Sequence, residues 1–596
     1  MANPLLDDRD VDFLLYDVHH VDRLCALPYF EEHSRETFDL FLGSVRRLAR
    51  EVLFPAYKPM DEAPPTFSGG RVRVHAEMHR IYPRVVELGL ISAARPHEVF
   101  GMQLPTSIFM TAQAYLGAAN LSACGFLFLT TGAAHLVETF GNEALRRSYM
   151  EPMYSGAWTG TMALTEPQAG SSLADVTTTA TPHEDGSHRI KGSKIFISGG
   201  DHDLTPNVVN LVLARIDGAP PGTKGVSLFV VPRMREEGGA LVDNDVTTAG
   251  VIHKIGWRGL PSVILELGDR GDCHGFLLGE PNKGLSYMFQ MMNEARVSVG
   301  MSAVATASVA YQESLAYARD RRQGRPLGVR DVRAPQVPIV EHADVRRMLL
   351  RQKAIVEGAL SLAIATSMYS DLAAHGRDDV EKKRAQRLLD LLTPITKSFP
   401  AEKGFESNAL AVQILGGYGY SSEYLPEAWL RDQKLNSIHE GTTGIQSLDL
   451  LGRKAMAEGG ASLQALIEEI DAAIARARAA GADESWSVAL RTAIDRIAAL
   501  TMQLGALGLS GDADRMLRHS ADYLEAMSIV VVAWQWLLQA SAAKEAIART
   551  GSTPHLEGKL CAAQYWIATE LPRVEAIVAL CASEEDSYAR MRPEWF

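Results

Sequence analysis

The chain has 596 residues, 46% hydrophobic and 22% charged, with a formal net charge of −13. That length exceeds what one hydrophobic core serves and implies roughly 3–5 structural domains, while the composition excludes a disordered or fibrous chain. The acidic balance disfavours broad binding to a nucleic-acid backbone, which needs clustered Lys and Arg, and five scattered cysteines without CxxC spacing imply neither a disulfide framework nor a zinc site.

The opening stretch, "MANPLLDDRDVDFLLYDVHH", is acidic and lacks an apolar h-region, so no secretion signal is expected and the cytoplasm is the expected location. Residues 1–157 read mainly as helices, for example "ETFDLFLGSVRRLAREVLFPAY" (36–57), whose apolar residues recur at helical spacing. The character changes at about residue 158. Runs rich in Val, Ile and Phe at 188–200, 208–216, 224–232, 262–269 and 273–280, separated by Gly, Pro, Asp and Asn, predict a β domain over 158–283.

Helical periodicity returns at 284–322. A Pro- and Arg-bearing loop follows at 324–338, then further helical patterns at 341–415 and 445–456. "AEGGAS" (457–462) reads as a linker into an Ala- and Leu-rich helical segment that runs to 596. The expected layout is thus 1–157 helical, 158–283 β, 284–456 helical and 457–596 helical. The uncharged stretch 526–543 reaches the lower length limit of a membrane span, but Ser528, Gln535, Gln539 and Ser541 dilute it. A buried core helix is expected there, and no integral membrane segment.

Several common sites are absent: no GxxxxGK[ST], no HExxH, no GxSxG, and no GxGxxG opening a βαβ unit. What remains are unusual Gly/polar clusters. "TGTMALTEPQAGSS" (159–172) is either a plain tight turn or one whose exposed N–H groups hold an anion or the carbonyls of a planar ring. "AVQILGGYGY" (411–420) ends a helix in glycines, which suits a left-handed C-cap or close approach of a pyrophosphate. In "LNSIHEGTTGIQ" (435–446), Ser437-x-x-Glu440 reads locally as a capping box, with a proton-abstracting Glu440 as the rival reading.

Together these clusters resemble one family. "MALTEPQAGSS", "IKGSKIFISGG", "MMNEARVSVGMSAVA", "YARDRRQGRPLG", "AVQILGGYGY" and "IHEGTTGIQ" follow the motif order of the acyl-CoA dehydrogenase flavoproteins across nearly the first 455 residues. The trailing domain resembles the C-terminal extension of the large bacterial members, among them the 3-methylthiopropionyl-CoA dehydrogenases. The resemblance implies an α+β, mainly α fold: an N-terminal helical domain, a central β-barrel-like domain, a C-terminal four-helix bundle and an additional helical domain.

It also implies FAD as cofactor, and oxidation of an acyl-CoA thioester to trans-2-enoyl-CoA. Electrons would pass to an electron-transfer flavoprotein. By resemblance, Met162, Leu164, Thr165, Gly170 and Ser171 lie along the flavin, with Ser171 also near the CoA, and Phe196 and Ser198 hold the ring from the other side. Arg321, Gln323, Gln413, Gly416 and Gly417 match positions that reach the FAD of a neighbouring subunit, implying a homodimer or larger assembly. Thr442 and Thr443 would touch the cofactor, Asn293 and Arg296 would line the substrate channel, and Gly441 would leave room for the acyl chain. Glu440 would be the base.

The sequence departs from the family pattern in four places. Ser172 stands where an Asp is common, Gly324-Arg325 shortens the segment after the Arg/Gln pair, Gly444 replaces a frequent Gln, and His439 replaces a frequent Tyr. His439 either makes the pocket more polar or is a hydrogen-bonded core histidine. Two further readings keep part of the resemblance: an acyl-CoA oxidase that passes electrons to oxygen, and a DNA-binding alkylation-response relative. The second is opposed by an excess of Asp and Glu over Lys and Arg in 457–596.

Overall fold

The computed structural model describes residues 3–596, the side chains of 289–292 excepted. It divides into two compact units. One runs from Glu36 to Ala295; the other combines the chain up to Arg35 with Arg296–Phe596. The expected 1–157 domain is therefore corrected at its start, for a chemical reason. Asn3 Nδ2 donates to the Val309 carbonyl at 3.0 Å, and the Ser308 hydroxyl donates to the Leu5 carbonyl. Arg476 donates to the carbonyls of Asp17 and Val18, and Asp10 is buried against Lys559. Polar groups of the N-terminal segment thus find their partners on helices hundreds of residues away, which ties the segment to them.

In the Glu36–Ala295 unit the longest helix is Thr106–Phe140. It is apolar on nearly every side and buried along most of its length, the pattern of a core helix. Asn120 interrupts it with non-helical backbone angles, φ −164° and ψ 88°. Its Oδ1 accepts the Ala123 N–H at 3.1 Å, capping the second half as an N-cap residue does. A two-stranded hairpin, Thr66–Ser68 with Arg71–Arg73, lies in a region expected to be helical. Its Val72 packs into the β core, and its backbone N–H is taken by Asp201.

The β domain is a closed ring of strands. His188–Ser198 pairs with His274–Leu277, which pairs with Ser227–Pro232, then Val208–Ile216, then Thr179–Pro182, which returns to His188–Ser198. Closure leaves no edge in the ring for another strand to invade. Val246–Val251 and Ser262–Leu267 extend the sheet beside His188–Ser198, and Thr159–Ala163 runs parallel to Val208–Ile216. Ile190, Val212, Phe229, Val231 and Val263 fill the core. Each apolar run singled out in the sequence contains a strand. Thr159–Ala163, Thr179–Pro182, Val246–Val251 and the hairpin Met234–Glu237/Ala240–Asp243 carried too little apolar alternation to be signalled.

In the other unit, helices Ala343–His375 and Asp379–Leu415 pack along one another. Asp378 caps the second by accepting the Glu381 N–H at 2.8 Å. The C-terminal helices Ala461–Ala479, Glu484–Leu509, Ser520–Thr550, Pro554–Tyr565 and Arg573–Ala582 join the same unit. Trp536 Nε1 donates to the Ala354 carbonyl at 3.0 Å above Gly358, where a Cβ would meet that nitrogen at 2.8 Å. Ser520–Thr550 contains the stretch read as a core helix, and its most apolar window is 94% buried. Among the described residues Thr106–Phe140 is the second helix long and apolar enough to cross a membrane, and it too is mostly buried.

Candidate active site

Helix Thr443–Asp449 begins at Thr442, whose Oγ1 accepts the Ile445 N–H at 3.3 Å. The Ser437 hydroxyl instead donates to the Lys434 carbonyl. The Ser437-x-x-Glu440 capping box is therefore corrected: between helix Pro426–Leu435 and this one the chain bends through Glu440 at φ +55° and Gly441 at φ +92°. Left-handed backbone is costly for a residue with a Cβ and collects at functional sites. Glu440 is half-buried, and among the described residues no hydrogen bond or ion pair engages its carboxylate. Burial raises its pKa; the charges of Arg296 and Lys397 pull it back only in part.

The bend is held from several sides. Gln446 Nε2 donates to the Glu440 carbonyl at 3.0 Å, and Lys397 Nζ, from helix Asp379–Leu415, donates to the Gly441 carbonyl at 2.7 Å. Gly441 is required twice over, by its φ and because a Cβ would stand 2.7 Å from Gln446 Nε2. His439 donates through Nδ1 to the Leu435 carbonyl at 2.9 Å. Burial, reinforced by Lys397, pushes its imidazole down to about 4, so it is a neutral, hydrogen-bonded histidine at physiological pH.

Thr442 is occupied as the cap, and the Thr443 hydroxyl donates to Glu402. Arg296, expected along a substrate channel, is buried and paired with Asp449 at 2.7 Å. Asn293 is half-buried. The methionines that open its motif, Met291 and Met292, lie outside the described side chains.

The turn Glu166–Ala169 in the β domain closes through two reciprocal backbone hydrogen bonds at 3.0 Å. Glu166 is its keystone. Its carboxylate accepts from the N–H and hydroxyl groups of both Thr177 and Thr178 and from the fully buried Lys194 at 2.8 Å. Lys194 also donates to the carbonyls of Leu164 and Leu213. Thus the backbone carrying Met162, Leu164 and Thr165 is anchored from beneath, while Gly170 and Ser171 stay exposed.

Beside them the pairing of His188–Ser198 with Ser262–Leu267 slips: Lys194 faces Leu265 and Ile197 faces Val263. Ile195 and Phe196 therefore oppose one residue in a β-bulge, which re-aims a side chain. Phe196 sits there at φ +62° and is 60% exposed. The Ser198 carbonyl accepts the Thr161 hydroxyl at 2.6 Å. Ser172, which replaces a common Asp, donates to Asp175.

Arg321, Gln323, Gln413, Gly416 and Gly417 are all exposed. Arg321 lies over the Tyr418 ring, 5.7 Å from its centroid, which brings the Arg/Gln pair to the glycine turn that ends helix Asp379–Leu415. Gly416 takes φ +62° and ψ −133°, a conformation only glycine adopts readily.

Comparison with known proteins decides what these parts belong to. Residues 35–157, 161–269 and 282–456 match the N-terminal, middle and C-terminal domains of acyl-CoA dehydrogenase, and 466–592 match an acetyl-CoA dehydrogenase C-terminal-like domain. A 3-methylmercaptopropionyl-CoA dehydrogenase of Ruegeria pomeroyi is 37% identical over 558 residues, covering 93% of this chain and 94% of that protein. The chain belongs to the acyl-CoA dehydrogenase family.

The broad-specificity linear acyl-CoA dehydrogenase FadE5 of Mycobacterium tuberculosis is 31% identical over 584 residues, covering 95% of both chains. A Bacillus anthracis acyl-CoA dehydrogenase solved with FAD superposes with a TM-score of 0.73 at 22% identity, covering 95% of this chain and 91% of that one. As a family member the chain is an FAD-dependent oxidoreductase, and its residues fit the cofactor. Phe196 offers an exposed aromatic face from a bulge, the turn after Met162 is braced without using its outward side, and the Gly416–Gly417 backbone has no neighbour within 4 Å of either Cβ position.

The sequence reading missed Lys397, Glu402, Gln446, Asp449, Glu166 and Lys194. A signal existed for two of them: Lys194 and Lys397 are lysines at positions the apolar pattern assigns to the interior, and both are fully buried.

Proposed function

We propose that the protein is an acyl-CoA dehydrogenase in the strict sense, forming trans-2-enoyl-CoA by removing hydrogen from Cα and Cβ of an acyl-CoA thioester. One observation carries this reading: Glu440 is a partly buried carboxylate with a raised pKa, no hydrogen-bond partner among the described residues, and a left-handed backbone. Such a group is poorly placed to stabilise a fold and well placed to accept a proton.

Glu440 takes the α-proton. Its backbone is held by Gln446 on its own carbonyl and by Lys397 on that of Gly441, so the carboxylate approaches from a fixed bend. FAD, when bound, supplies the acceptor for the β-hydride. Thr165, Phe196, Ser198, Thr442 and Thr443 are among the residues proposed, by family resemblance, to hold it. The burial that raises Glu440 also limits the access of water to its carboxylate.

The reduced flavin must be reoxidised, and an electron-transfer flavoprotein is the proposed acceptor. Arg321, Gln323, Gln413, Gly416 and Gly417 are proposed to meet a second copy of the chain in a cytoplasmic homodimer. Of candidate substrates, 3-methylmercaptopropionyl-CoA is proposed first, because the relative of that name matches almost the whole length of the chain.

The test is anaerobic. FAD-loaded protein is mixed with 3-methylmercaptopropionyl-CoA and with short, medium and long linear acyl-CoAs while the flavin absorbance is followed. Rapid bleaching by at least one is expected, and a spectrum unchanged by the whole panel would overturn the proposal. Peroxide released in air at the rate of turnover would replace the flavoprotein acceptor by oxygen.

A further inference from the structure

Lys397 lies at the middle of helix Asp379–Leu415 and is fully buried. Taking an ammonium out of water is costly unless it is paired and hydrogen-bonded, yet among the described residues no carboxylate lies within salt-bridge distance of it. Its one hydrogen bond, at 2.7 Å, goes to the Gly441 carbonyl, the acceptor next along the chain from Glu440. A buried cation kept without an ion pair, and spent on the turn that carries the base, points to a task other than stability.

We propose that Lys397 is a positioning residue for Glu440: it clamps the left-handed Glu440–Gly441 bend through the Gly441 carbonyl and holds a positive charge beside the carboxylate. This rests on the reading of Glu440 as the base. The bend is a place where such a clamp matters. Glu440 at φ +55° is a non-glycine residue in a sparsely populated conformation, which persists only where its surroundings over-determine it. Gln446 holds the carbonyl of the Glu440–Gly441 peptide and Lys397 the next one.

The charged and titratable groups around the base come from four places. They are Arg296 from helix Gly284–Asp320, Lys397 and Glu402 from helix Asp379–Leu415, His439 next in sequence, and Asp449 from helix Thr443–Asp449. Arg296 is bound to Asp449 at 2.7 Å, and His439 is neutral at physiological pH. Lys397 is therefore the cation near Glu440 whose charge is not already matched by a salt-bridged carboxylate. Burial lowers its amine to about 8, so it is mostly charged at neutral pH.

The experiment uses FAD-loaded full-length protein with three substitutions. Lys397→Gln keeps a donor for the Gly441 carbonyl and removes the charge, Lys397→Met removes both, and Lys397→Arg keeps the charge. Two readouts are taken against pH: the rate of flavin reduction by acyl-CoA, and the titration of the Glu440 carboxyl by infrared difference, its band identified by loss in Glu440→Gln. Removing a neighbouring cation favours the neutral acid, so Lys397→Gln is expected to move the Glu440 titration and the acid limb of the rate up by about one pH unit, with Lys397→Arg near wild type. Lys397→Met is expected to show the same shift and a plateau rate lower by about 10- to 100-fold, from loss of the fixed bend.

An unshifted Glu440 titration in Lys397→Gln would overturn the proposal, as would a Lys397→Met enzyme with wild-type rates. If Lys397→Met does not fold, the Gln variant alone decides. If no acyl-CoA reduces the wild-type flavin, the functional reading fails, while the infrared titration still judges Lys397.

Discussion

Glu440 has to ionise with little help from its surroundings. Burial raises its carboxyl and Arg296 and Lys397 recover only part of the loss, so it titrates above the ordinary carboxylate range near 4.3. A base acts when ionised; flavin reduction is therefore expected to fall as the pH drops through a value above that range, and a rate profile with stopped-flow detection checks it. Glu440→Gln keeps the shape of the side chain but cannot take the proton. Its flavin content should match wild type while the reduction rate falls by at least about 10²–10⁴-fold, measured in the same instrument. Gly441→Ala meets both a positive φ and the Gln446 amide at 2.7 Å. A loss of about 1–2 kcal/mol in stability is expected, read from the denaturant midpoint, together with slower reduction.

Among the elements, the Glu166–Ala169 turn depends on a buried ion pair. Burial raises the Glu166 carboxyl, but the Lys194 ammonium and the hydrogen bonds from Thr178 and Thr177 outweigh it and hold it down at about 2. A carboxyl lowered in the folded state adds stability that is present above its unfolded value of about 4.3 and lost as the pH falls toward 2. The β domain should accordingly weaken across that window. Glu166→Gln leaves Lys194 buried without its counter-charge, and a cost of about 3–5 kcal/mol is expected. The double change Glu166→Gln, Lys194→Met should recover part of that cost, because it removes the second charge as well. Urea midpoints of wild type and the two variants check this; a double variant no better than Glu166→Gln would remove the pair as the cause. The bulge at Phe196 belongs to the same scale, since the one-residue slip against Ser262–Leu267 turns an aromatic outward from a strand whose neighbouring Ile197 is buried.

At the scale of the chain, both termini meet in one unit. Lys559 of the C-terminal helices is fully buried and pairs with Asp10 near the N-terminus and with Glu357 of helix Ala343–His375, the latter at 2.8 Å. Burial and the nearby Glu357 hold Asp10 well above the usual carboxylate range. Lys559→Met would leave Asp10 and Glu357 facing each other with Lys353 beside them. A loss of about 3–5 kcal/mol is expected, with release of the N-terminal segment ahead of the core. Hydrogen exchange at residues 8–18 would report that release, and protection there equal to wild type would exclude it. Glu440 lies in the same unit, yet Lys559 is not among the groups that shift it, so the flavin-reduction rate per folded molecule should stay unchanged.

The sequence alone determined the succession of helical and β segments, because periodicity of apolar residues records which face each element buries. It also determined the family and Glu440 as the residue to watch, because glycine-marked turns at fixed order leave a local trace. Local spacing misjudged the role of Glu440 as a helix cap. The cap fell to Thr442 once the chain had to reverse at Gly441, and a reversal depends on what lies behind it. Only the tertiary structure decided that Lys397 and Gln446 hold that reversal, that Arg296 is spent on Asp449, and that the segment carrying Asp10, Asp17 and Val18 packs with the last helices. Apart from the Gln446 contact, which spans 6 residues, each of these joins residues dozens to hundreds of positions apart through a buried charge or hydrogen bond. Such contacts form where desolvated groups find their counterparts in space, and no pattern within a short window of sequence encodes them.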